Sequence, residues 1–131
     1  MSSSEPQAVA RVGLLTQDLL VRSRVQVGLG RHAAGLELIA GEEITGTFDL
    51  LLVDLNRNPE EQLARLGRLV RAQPDAEVIC FGPHTHMAQL SPTAKAAGAT
   101  RCVANSHLPE TLQRWLRAWE EASTRPRRAP A

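Results

Sequence analysis

Phe48-Asp49-Leu50-Leu51-Leu52-Val53-Asp54 is the stretch that decides the fold. It opens on an aromatic, runs almost wholly apolar and closes on an acid. A short apolar run without polar alternation reads as a strand covered on both faces, the kind found in parallel sheets flanked by helices. Asn58-Pro59-Glu60-Glu61 follows. It sets an N-cap residue type before a proline at the first helical position, with a glutamate at the capping-box position, and Leu63, Leu66, Leu69 and Val70 continue at helical spacing. Strand then helix is the repeating unit of a parallel α/β fold.

The same alternation extends in both directions. Upstream, Val12-Gly13-Leu14-Leu15-Thr16 reads as a first strand, and Asp18 as the cap of a helix carrying Val21, Val25 and Leu29. Gly35 is expected to stop that helix before a second strand over Leu36-Glu37-Leu38-Ile39-Ala40. Downstream, Pro74-Asp75 breaks the chain and Val78-Ile79-Cys80-Phe81 makes a fourth strand ending at Gly82-Pro83. A weaker helix spans about 86–97, where Ser91-Pro92 implies either a kink or a restart with Ser91 as cap, because an interior proline costs about 3 kcal/mol. Ala97-Gly98-Ala99 closes it, Arg101-Cys102-Val103-Ala104 is the fifth strand, and Pro109 opens a last helix with Leu112, Trp115, Leu116 and Trp119.

The 131 residues fit one domain over 11–122, with a flexible N-terminus over 1–10 and a disordered arginine- and proline-bearing tail over 123–131. Fifteen basic against fourteen acidic residues leave a net charge of +1, so no global field drives the chain onto nucleic acid or anionic lipid. Only the Arg125, Arg127 and Arg128 tail offers a weak nucleic-acid contact. Gly28-Leu29-Gly30 lies at a helix end and not after a strand, so a dinucleotide motif is absent. No targeting pattern, no disulfide framework and no apolar run of spanning length is present, which points to the cytoplasm.

Taken together, Leu19-Leu20-Val21-Arg22 after the first strand, the third strand ending in Asp54, and Ala97-Gly98-Ala99 followed by a strand and Pro109-Glu110-Thr111-Leu112 resemble the receiver domain of bacterial two-component response regulators. The resemblance implies a flavodoxin-like α/β sandwich with a five-stranded parallel sheet of order 2-1-3-4-5. It also implies that Asp54 stands at the phosphoacceptor position. The family places two acids after the first strand to hold magnesium, a hydroxyl residue after the fourth strand and a lysine after the fifth. Thr16, Gln17, Gly82 and Asn105 occupy those places here. The resemblance therefore implies a degenerate pocket, with Asn105 able to form a neutral pair with Asp54.

Three functions follow as expectations. The first is a stand-alone pseudo-receiver that signals by protein contact, is no enzyme and needs no cofactor. The second is a working phosphoacceptor at Asp54 with an atypical metal pocket, and the third a small-molecule or metal-binding module at the strand ends. His84, His86 and His107 gather at that edge, but their spacing matches no closed zinc pattern, and no metal is expected. Cys80 and Cys102 lie on adjacent parallel strands, which rarely offer disulfide geometry, and read as small core residues. Trp119 is expected in the core, and Trp115 either there or at a dimer interface.

Between the second and third strands only Gly41 to Thr47 remain, seven residues reaching about 23 Å when extended. The helix of that crossover should be missing or cut to one turn. An apolar face of strands one to three, with Ile44 beside it, should then be left for a partner protein or a second copy.

Overall fold

A computed structural model describes residues 9–30, 34–39 and 46–124. Strands and helices alternate through them with one exception: β1 Ala10–Leu15, α1 Leu19–Leu29, β2 Ala34–Leu38, β3 Leu50–Asp54, α2 Pro59–Ala72, β4 Glu77–Gly82, α3 His84–Ala97, β5 Arg101–Ala104, and α4 Leu108–Thr124 after a 3-10 turn at Asn105–His107. The exception is that, among the described residues, β3 follows β2 directly. All strand pairs are parallel and the sheet order is β2-β1-β3-β4-β5, the expected flavodoxin-like sandwich.

β3 is buried at every position. Leu50 and Leu52 join Val12, Leu14, Leu112 and Leu116 under α1 and α4. Leu51 and Val53 point the other way, to Leu63, Leu66, Leu69 and Ala94 under α2 and α3. Burial of each such side chain contributes roughly 1.5–3 kcal/mol, so the central strand anchors both layers. That fixes Asp54 at the carboxyl end of the sheet, where βα loops converge.

Several local expectations are corrected. α1 ends at Leu29 with Gly30 at φ 59°, and Gly35 lies inside β2, because the apolar repeat of α1 is already exhausted at Leu29. Asn58 does not cap α2 with its side chain. It sits in the left-handed region at φ 48°, and its amide donates to Gln17 Oε1 at 2.9 Å. Glu60 and Glu61 still complement the helix dipole in the first turn. α3 starts at His84 and runs through Pro92 as one helix; Ala88 and Pro92 are both exposed, so the carbonyl left without a partner faces water.

Among the described residues, the apolar face anticipated on strands one to three is not bare. On the α2 side of β2 the residues are Gly35, Glu37 and Ile39, not an apolar row. Glu37 pairs with Arg11 at 2.8 Å, and Ile39 and Phe48 are buried over Gly13, whose missing side chain makes the room. The Arg11 guanidinium lies 4.3 Å from the Phe48 ring centroid. Gln73, itself buried, accepts from Phe48 N and donates to Gly46 O, both at 2.8 Å, holding the entry to β3. Ile44 and most of the Gly41–Thr47 connection, like the Arg125–Arg128 tail, lie outside the described residues.

Candidate functional site

β1, β3, β4 and β5 all end at one edge, and at the ends of β1, β3 and β5 Thr16, Asp54 and Asn105 come into one neighbourhood. Asp54 is 3% exposed, and its carboxylate accepts three hydrogen bonds. Oδ2 accepts from Thr16 Oγ1 at 2.7 Å, and Oδ1 accepts from Asn56 N at 2.9 Å and Asn56 Nδ2 at 2.6 Å. All three donors are neutral. The bond from the amide two residues on is an Asx turn, which fixes the carboxylate plane locally.

Asn105 does not touch Asp54 directly, contrary to expectation. Asn56 stands between them. Its Nδ2 also donates to Asn105 Oδ1 at 3.1 Å, and Asn105 Nδ2 returns a bond to Asn56 Oδ1 at 2.7 Å. A carboxylate only accepts, so Asp54 sets which end of the Asn56 amide faces it, and Asn56 in turn sets Asn105.

Beneath the site Gln62 is 1% exposed and donates from Nε2 to Leu15 O at 3.1 Å and Asp54 O at 3.3 Å. Its Oε1 accepts from Arg65 at 3.2 Å. One side chain of α2 thus ties the ends of β1 and β3 together. Sequence reasoning missed both Gln62 and Asn56. The Asp54-Leu55-Asn56 spacing was a usable signal for the second.

The other candidates do not join this group. Gln17 is exposed with Oε1 taken by Asn58. Asp18 caps α1, accepting from Leu20 N at 2.9 Å. Gly82 faces Met87 and Leu55, where a Cβ would meet Met87 Sδ at 3.0 Å. His84, His86 and His107 are exposed, and among the described residues no three metal-ligating side chains gather. Cys80 and Cys102 are register partners on β4 and β5. Burial, then the neighbouring Cys102, pushes the Cys80 thiol well above its ordinary range. Trp119 is half-buried and not in the core, because Leu112 and Leu116 take the sheet-facing positions of α4. It stacks on Trp115 with centroids 6.5 Å apart and planes 20° apart.

No protein-family model and no curated protein matches the sequence. Solved structures do match in fold. A response regulator from Thermotoga maritima has a TM-score of 0.70 at 18% identity, over 84% of this chain and 99% of that one. A CheY-like receiver domain protein from Methanospirillum hungatei gives 0.68 at 17%, over 88% and 97%. The receiver domain of a sensor histidine kinase from Pseudomonas aeruginosa, determined with magnesium coordinated in its active-site cleft, gives 0.65 at 17%, over 87% and 99%.

Proposed function

We propose that this receiver-like fold serves as a regulatory module of the two-component signalling type that works by protein contact, with Asp54 held by hydrogen bonds and not phosphorylated. The supporting observation is the closed set of neutral donors around its carboxylate. Phosphoryl transfer to a carboxylate requires a free oxygen lone pair facing phosphorus and cationic charge to offset the repulsion. Here Asp54 Oδ1 accepts twice and Oδ2 keeps one lone pair, but every donor bonded to the carboxylate is neutral, so none supplies that charge.

The donor set does not fit magnesium either. That ion wants near-octahedral coordination by hard oxygens, usually with one or two carboxylates. The site offers one carboxylate, three of whose lone-pair positions are in use, beside a hydroxyl and an amide whose oxygen already accepts from Asn58.

Contact surfaces are available on two helices. Leu20 and Val27, seven residues apart and so on one side of α1, are 68% and 80% exposed. On α4 the stacked Trp115 and Trp119 present a half-buried aromatic pair suited to self-association. No helix among the described residues is long and apolar enough to cross a membrane. A cytoplasmic place of action belongs to this same reading.

Amide NMR spectra of the full chain with magnesium and beryllofluoride, a mimic of the phosphoryl group, test the proposal. Unchanged resonances at Asn56 and Asn105 are expected. Saturable shifts there that vanish in Asp54→Asn would overturn it.

A further inference from the structure

A cavity of about 310 Å³ lies between α1 and α4 at the carboxyl edge of the sheet. Its floor is Phe81, and its walls are Val21 and Val25 from α1 and Leu108 and Leu112 from α4. All but Val21 are buried, so the interior is apolar. The opening has a structural origin. Gly28 sits in the α1 face turned to α4, where a Cβ would stand 3.5 Å from Leu112 Cδ1, and Gln113 Nε2 donates to Gly28 O at 2.6 Å. The two helices are therefore pinned at that level while the glycine leaves the seam unfilled. A helix-interior glycine weakens α1, and close packing elsewhere leaves few gaps larger than a water molecule. The volume falls at the small end of the range of ligand sites.

The rim supplies direction. Arg24 is exposed and has no ion pair among the described residues. Asp18, the acid at the same mouth, is committed to Leu20 N. Arg24 is thus the cation that an anionic group at this mouth would meet, while the Asp18 carboxylate is partly offset by the N-terminus of α1. Asn105 keeps one N–H and one oxygen lone pair beyond its exchange with Asn56.

We propose that this cavity binds a small planar aromatic carboxylate, its ring slotted between α1 and α4 on Phe81 and its anionic end on Arg24. The rim amides Asn56 and Asn105 belong both to this mouth and to the Asp54 cage. Occupancy is therefore read out at Asp54 through the amide pair. The binding itself does not depend on whether Asp54 accepts phosphate.

Amide NMR titration of the full chain with naphthoate tests this, beside naphthylmethanol as the uncharged counterpart and decanoate as a flexible acid. Saturable shifts are expected at Val25, Gly28, Phe81, Asn105 and Leu112. Naphthoate should bind on the order of tenfold more tightly than naphthylmethanol, the scale of one charge-assisted hydrogen bond. Arg24→Gln should erase that difference, and Gly28→Met should abolish binding of both by filling the seam. If Gly28→Met fails to fold, Gly28→Ala, whose Cβ meets only ordinary contact, should still weaken both ligands. No saturable shift with any probe, shifts mapping away from the α1–α4 seam, decanoate binding more tightly than naphthoate, or naphthoate unaffected by Arg24→Gln would each overturn the proposal.

Discussion

Replacing Thr16 with aspartate turns the hydrogen-bond donor of the site into a charge. Thr16 Oγ1 lies 2.7 Å from Asp54 Oδ2, so the new carboxylate would stand within about 4 Å of the old one. At an effective dielectric of ~20 two unit charges at that distance repel by about 4 kcal/mol. The lost hydrogen bond adds about 1 kcal/mol. Thr16 is half-exposed, and solvent screening brings the expected destabilisation of Thr16→Asp to roughly 2–3 kcal/mol without divalent cations. A pair of acids also supplies what magnesium lacks in the native site. The variant should regain about 1.4 kcal/mol when magnesium reaches tenfold over its dissociation constant, while the native chain gains nothing. Urea denaturation with and without magnesium reads both effects. A variant as stable as the native chain in the absence of magnesium, or a native chain stabilised by magnesium to the same extent, would refute the reasoning.

Gln62→Leu keeps the side-chain volume but strips Leu15 O and Asp54 O of a buried donor, and should cost about 2–3 kcal/mol in chemical denaturation; a loss under about 0.5 kcal/mol would show the tie to be dispensable. Trp115→Ala should shift sedimentation of the native chain from dimer toward monomer, and unchanged sedimentation would remove the α4 surface from the account. The raised Cys80 thiol, caused first by burial and next by Cys102, keeps its proton in the folded chain. The unfolded chain gives that proton up near the ordinary value of 9.0, so stability should fall as pH rises beyond it, and Cys80→Ala should flatten that slope in denaturation series across alkaline pH.

What the sequence disclosed and what it hid divide along physical lines. β3, the Asp18 cap and the proline-led start of α2 rest on local periodicity and capping chemistry, and these are visible one segment at a time. Gln62 was invisible for the opposite reason. A glutamine among Glu60, Glu61 and Arg65 looks like a solvent face, and only the closure of β1 onto β3 places two carbonyls over it. The covering of the β1–β3 face by Ile39 and Phe48 likewise depends on Gly13 being opposite them, a tertiary fact. Asp54 and Asn105 are legible as positions, but Asn56, the side chain that joins them, does not stand out in the sequence, because loop asparagines are commonplace in turns.

The central claim is that Asp54 is caged and idle, and intact mass spectrometry of the full chain after incubation with acetyl phosphate and magnesium tests it most directly. The account predicts an unmodified mass, because every carboxylate oxygen is already bonded to a neutral donor. A phosphoryl adduct on most of the protein, absent from Asp54→Asn, would contradict it.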